Sequence, residues 1–133
     1  MTEITRITIE TDRPYQATDV TDLVMRAVPA GHPAVVVSVP HTTCALFLSE
    51  VDDELLRDLE RVGETLLGQF EPFTHARNGI ANGAAHIVSS IFGTSVVLTV
   101  GDGTLQLGRY QRIVLLELDG PKQRLLEVQE IRA

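Results

Sequence analysis

A chain of 133 residues with 44% hydrophobic content is one domain's worth of sequence and can bury a core. Its formal charge of -7, from 18 acidic against 11 basic residues, argues against nucleic acid as a partner while leaving room for a small anion held by a few local cations. No apolar run approaches the roughly 20 residues needed to span a bilayer, no leader pattern opens the chain, and the single Cys44 excludes an intrachain disulfide, so a cytoplasmic protein away from membranes is the expectation.

The β-branched run Ile4-Thr5-Arg6-Ile7-Thr8-Ile9 predicts a first strand. Thr18-Asp19-Val20-Thr21-Asp22 predicts a helix start with Thr18 or Asp19 as N-cap, stopped by Pro29-Ala30-Gly31. His32, in Gly31-His32-Pro33, reads as a turn residue. Ala34 to Val39 and Thr43 to Ser49 predict strands either side of Pro40. Asp52-Asp53-Glu54 opens the longest helix, its acidic first turn suiting the helix dipole, and Leu55, Leu56, Leu59, Val62 and Leu66 follow at helical spacing up to Gly68. Residues 70–84 carry Pro72, Gly79 and Gly83 and read as an irregular loop, of a length that is often functional. A short helix over 84–92 follows. The last third predicts a β meander: 95–100, a Gly101-Asp102-Gly103 hairpin turn, 105–107, 113–118 and 125–131, with Asp119-Gly120-Pro121 as a turn. About seven strands with two or three helices predict an α+β fold of two packed, mostly antiparallel sheets in one domain over 1–133.

Imidazole can both ligate a metal and move a proton near neutral pH, and three histidines stand in polar clusters. His41 follows Pro40 at a strand end beside Thr42 and Thr43. His86 follows Asn82-Gly83-Ala84-Ala85, where Asn82 suits a helix cap and small residues admit a ligand; the plain alternative is a cap beside a surface histidine. His75 sits in the loop beside Arg77 and Asn78. Glu50 and Asp52 can orient a histidine or a metal, although helix capping accounts for Asp52. Cys44, between Thr43 and Ala45, reads as core. Arg109, Lys122 and Arg124 are the cations near the C-terminal turns and suit a phosphate. Glu117 and Asp119 alternate along one strand and share a face, suiting a metal or a cationic substrate.

Taken in order, His41-Thr42-Thr43-Cys44-Ala45-Leu46 with Glu50, His75 with Asn82-Gly83-Ala84-Ala85-His86, Gly103 to Ile113, and Glu117-Leu118-Asp119-Gly120-Pro121-Lys122-Gln123-Arg124 resemble the YjbQ-like proteins, the secondary thiamine-phosphate synthase family. The resemblance covers nearly the whole chain. It implies two packed sheets, assembly as a homotrimer, and a weak thiamine-phosphate synthase activity whose native counterpart is unsettled. It also implies a pocket at His41, Glu50, His75, Asn82 and His86. Ser49, Phe73, Tyr110 and Lys122 depart from that pattern, which more often has asparagine, tyrosine, tryptophan and arginine there. Lysine at 122 lacks the bidentate fork of arginine.

The reaction so implied joins a hydroxymethylpyrimidine diphosphate to a thiazole phosphate and expels pyrophosphate. In that reading Lys122 and Arg124 take the leaving charge, and His41, His75 and His86 bind a divalent metal or shuttle a proton. Three imidazoles suit zinc or nickel; magnesium prefers oxygen and would come with a phosphorylated substrate. Two other classes stay open. One is a metal-assisted hydrolase of a small phosphorylated or cyclic metabolite with Glu50 as base, and the other a non-enzymatic trimeric ligand-binding protein.

Overall fold

The computed structural model describes residues 4–28, 31 and 33–131. His32 and the Pro29-Ala30 part of the predicted helix stop lie outside the described residues.

Among the described residues eight strands and three α-helices form: β1 Ile4–Glu10, β2 Gln16–Asp19, α1 Thr21–Arg26, β3 Ala34–Ser38, β4 Cys44–Ser49, α2 Asp53–Thr65, α3 Gly83–Phe92, β5 Ser95–Gly101, β6 Thr104–Leu105, β7 Arg112–Glu117 and β8 Gln123–Ile131. They build a five-stranded sheet, β1-β8-β3-β5-β6, and a three-stranded sheet, β2-β7-β4. Every pairing between these strands is antiparallel. The predicted α+β class with two packed sheets therefore stands, with one strand more than the seven expected. Among the described residues no helix is long and apolar enough to cross a membrane.

Burial shows three layers. Val35, Val37, Leu98, Leu126 and Val128 of the large sheet meet Cys44, Leu46, Ile113 and Leu115 of the small one, with Val20 and Val24 beside α1 closing one end. The other face of the small sheet, through Ala45, Val114, Leu116 and Leu118, carries α2 and α3 by way of Leu56, Leu59, Ala85, Val88 and Phe92. The small sheet is thus the middle layer. This is why β7 is apolar on both faces while β8 alternates.

Two expectations give way here. The C-terminal third is not a meander. After the β5–β6 hairpin, β7 enters the small sheet between β2 and β4, and β8 returns to the large sheet between β1 and β3. Thr18 and Asp19 belong to β2 rather than to a helix cap. Val20 precedes α1, and Asp19 still accepts the Thr21 N–H at 2.9 Å. Asp52 does cap α2, accepting the Leu55 N–H at 2.7 Å. The helix ends at Thr65, and a short 3-10 turn, Gly68–Phe70, leads into the loop over α3.

Candidate active site

Helix α3 lies across β4, where the Ser89 hydroxyl donates to the Cys44 carbonyl at 2.6 Å. Its first turn carries Asn82, Gly83 and His86. The loop after the 3-10 turn passes directly over this turn. A Cβ on Gly83 would lie 2.9 Å from Phe73 Cβ and 3.5 Å from His75 Cβ. Glycine there lets the loop settle, and His75 meets His86 edge to face with ring centroids 4.8 Å apart.

Asn82 does not cap α3 with its side chain. Its Nδ2 donates to Asp119 Oδ2 at 2.9 Å, and Lys122 Nζ reaches the same oxygen at 2.7 Å. A carboxylate only accepts, so the amide's NH2 faces Asp119 and its carbonyl oxygen remains an acceptor for a ligand. Burial would raise the Asp119 carboxyl, but Lys122 and Asn82 hold it below the usual carboxylate range.

Three cavities adjoin along this surface. One of about 230 Å³ is walled by Tyr15, Phe73, His75, Asn82 and Asp119. One of about 200 Å³ lies between His75, Arg77, Asn82 and His86. One of about 380 Å³ holds His41, Thr42, His86 and Ser90. His75 and Asn82 are shared by the first pair and His86 by the second, so the three predicted histidines line a row of adjoining cavities.

His41 enters it already engaged. Its Nε2 accepts the Leu125 N–H at 2.8 Å, which leaves the proton on Nδ1. Burial and then the Arg124 charge lower its pKa. Arg124, expected to hold a phosphate, is 3% exposed and committed elsewhere. Its guanidinium makes a two-pronged pair with the fully buried Glu117 carboxylate and donates to the Thr43 carbonyl and hydroxyl at 2.9 Å. Glu117 also accepts from the Thr11 hydroxyl at 2.8 Å and from the Asp119 N–H at 3.0 Å. Burial pushes its pKa up, and these donors, Arg124 foremost, bring it below the ordinary value. The acidic pair read on one strand face is therefore divided: Glu117 is structural, and only Asp119 lines a cavity.

Glu50 lines none of the three cavities. It follows the far end of β4, six residues of extended chain or about 20 Å from Cys44. With Nε2 taken by the Leu125 N–H and the proton on Nδ1, the neutral His41 ring has no second lone pair for an ion. Among the described residues no three His, Cys, Asp or Glu side chains are placed to hold a metal. Cys44 is core, as read, and burial pushes its thiol to about 11.

Sequence reasoning left Tyr15 and Arg77 out of the site. Nothing near Tyr15 signals a cavity wall. Arg77 had a signal in Asn78-Gly79, the dipeptide of a two-residue hairpin turn. Both residues have positive φ, 55° and 77°, and Ile80 N donates to the Arg77 carbonyl at 3.0 Å.

The model of a family described as UPF0047 protein YjbQ-like matches residues 5–133. A UPF0047 protein of Archaeoglobus fulgidus is 37% identical over 125 residues, covering 94% of this chain and 98% of that protein. UPF0047 protein MJ1081 of Methanocaldococcus jannaschii is 31% identical over 120 residues, 87% of this chain and 85% of its own. Among solved structures, hypothetical protein APE1520 from Aeropyrum pernix superposes with a TM-score of 0.87 at 31% identity, covering 98% of this chain and 99% of that one. A YbjQ-like protein of unknown function, SSO2532, from Sulfolobus solfataricus gives 0.89 at 26% identity over 100% and 99%.

Proposed function

This chain belongs to the UPF0047 YjbQ-like family, and we propose that it is a cytoplasmic enzyme with weak thiamine-phosphate synthase activity, working in the depression around His75 and His86. The observation that carries this reading is the sharing of His75, Asn82 and His86 between adjoining cavities. A reaction that joins two substrates needs neighbouring compartments with reactive groups on their common wall.

The chemistry forms a bond from the thiazole nitrogen to the pyrimidine methylene carbon and breaks that carbon's bond to the diphosphate oxygen. The leaving oxygens gain charge, and hydrogen-bond donors aimed at them lower the barrier. The imidazoles of His75 and His86 are those donors in this reading. The cavity between Tyr15 and Phe73 suits a flat heteroaromatic ring, with the Asn82 carbonyl oxygen and the Asp119 carboxylate as acceptors for an amino substituent. A divalent ion, zinc or nickel on imidazole or magnesium on phosphate oxygens, enters the proposal at the facing His75 and His86 rings.

Assembly as a homotrimer belongs to the same proposal. The outer face of the large sheet supports it, since Ile4, Val97 and Ile131 stand exposed there, Val97 at 65%.

Purified protein incubated with hydroxymethylpyrimidine diphosphate and thiazole phosphate should yield thiamine phosphate and pyrophosphate in equal amounts. His75→Ala and His86→Ala should each remove the product. Absence of product from the unaltered protein, or its persistence in both variants, refutes the assignment.

A further inference from the structure

The three cations read from sequence as suiting a phosphate are all engaged within the chain. Arg124 is buried against Glu117, and Lys122 reaches the Asp119 carboxylate and carbonyl, each at 2.7 Å. Arg109 stacks on Tyr110, 5.3 Å from the ring centre. Yet a diphosphate entering this depression needs a positive group, because the chain as a whole is acidic.

Resting on the synthase reading, we propose that Arg77 is the anion-recognition residue of this site, and that the cavity between His75, Arg77, Asn82 and His86 receives the terminal phosphoryl group of the diphosphate substrate. Three observations carry it. Arg77 lines this cavity together with both facing imidazoles. Among the described residues its guanidinium has no carboxylate partner, so its donors are open to a ligand. And its backbone is fixed, because the Asn78-Gly79 turn closes with the Ile80 N–H on the Arg77 carbonyl at 3.0 Å.

The charge layout assigns the two ends of the substrate. The neighbouring cavity is bordered by Glu71 and Asp119 and has no arginine or lysine on its wall. With Lys122 already spent on Asp119, it offers phosphate no free cation and suits an amine-bearing ring. The Arg77 cavity has no carboxylate on its wall, and the arginine lining it carries a planar fork of N–H donors that matches a phosphoryl group. A ligand with a ring at one end and a diphosphate at the other therefore lies across the shared His75 and Asn82, ring toward Asp119 and phosphate toward Arg77.

Calorimetric titration of the full chain with inorganic pyrophosphate, at fixed ionic strength, tests this. The unaltered protein and the control Arg109→Ala should bind alike. Arg77→Ala should weaken binding by about tenfold or more, and Arg77→Lys should recover part of the loss. Equal affinity in Arg77→Ala and the unaltered protein, an equal loss in Arg109→Ala, or no binding by the unaltered protein overturns the assignment. Pyrophosphate bound through Arg77 without formation of thiamine phosphate would refute the synthase reading and leave the anion site standing. Synthase turnover with an unchanged KM for the diphosphate substrate in Arg77→Ala would do the reverse.

Discussion

The Nε2 atom of His41 accepts the backbone N–H of Leu125 at 2.8 Å, filling a rung that the large sheet lacks. Strand β3 pairs with β8 as far as Ser38 opposite Glu127. Two residues further along, Pro40 would face Leu125, but the chain has left the ladder. The imidazole supplies the acceptor that an unpaired N–H in a half-buried strand requires. His41 thus joins sheet integrity to the floor of the site.

This bond dictates a pH response. Protonating Nε2 would set two donors against each other, and burial and Arg124 already lower the pKa of His41. In the unfolded chain it returns to the ordinary value of about 6.5. Between the two values the unfolded state holds the proton and the folded state does not, so stability rises with pH there. The contribution is complete above the ordinary value and is lost as pH falls through the folded one. Urea midpoints from pH 8 to 5 should drop more for the unaltered protein than for His41→Gln, whose amide oxygen can accept the same N–H without titrating. Parallel curves would mean that the bond has no part in acid sensitivity.

The Glu117–Arg124 pair yields a larger effect. Removing one partner leaves a buried charge uncompensated, which costs about 3–5 kcal/mol. Glu117→Ala also strips acceptors from the Thr11 hydroxyl and the Asp119 N–H. Urea denaturation should place it at the upper end of that range, with Thr11→Val far milder. Because the Glu117 pKa is lowered on folding, its contribution is present above the usual carboxylate range and fades as pH falls through the folded value. A midpoint near that of the unaltered protein at pH 7 would show the pair to be energetically idle.

How far the sequence reaches can be judged from these residues. The strands around Pro40, the Asp52-capped helix and the Gly101-Asp102-Gly103 hairpin all follow from local chemistry, and all three form. The histidines and Asn82, which line adjoining cavities, each stand in a short polar cluster beside a regular element, and that clustering is visible in sequence. Arg124 was misjudged because its surroundings look like those of Lys122, two positions earlier. What separates them is that β7 and β8 lie in different sheets, so Glu117 meets Arg124 across the core. Strand β2 was misjudged for a similar reason. Asp19 suits a helix cap locally, yet it is fixed by Arg112 Nε at 2.8 Å from a strand distant in sequence. Glu50 lies close to His41 in sequence, yet the whole of β4 runs between them.

The facing histidines predict a kinetic rather than a structural phenotype. His75 is exposed and His86 only half-buried, so truncating either removes little packing. With synthase activity as the readout, His75→Ala and His86→Ala should each lower kcat by about 10²–10⁴ fold. Thermal midpoints should stay close to that of the unaltered protein. A double variant should lose little more than the worse single one, since groups that act as a unit are not additive. Multiplying losses would show instead that the two imidazoles act separately.

Gly83 isolates the loop from the chemistry. An alanine there must place its Cβ 2.9 Å from Phe73 Cβ, an atom with no freedom apart from its own backbone. The loop has to lift, which carries His75 away from His86 while leaving both imidazoles in the chain. Such overpacking costs about 1–3 kcal/mol of stability. The activity loss in Gly83→Ala should approach that of His75→Ala, and amide NMR shifts should concentrate at residues 72–76 and in the first turn of α3. The variant Ala84→Gly, one position along the same turn, serves as control, because it loosens the helix without pressing on Phe73. If Gly83→Ala turned over substrate at the unaltered rate with a displaced loop, contact between His75 and His86 would be irrelevant to the reaction, and the site would have to be rebuilt around His86 alone.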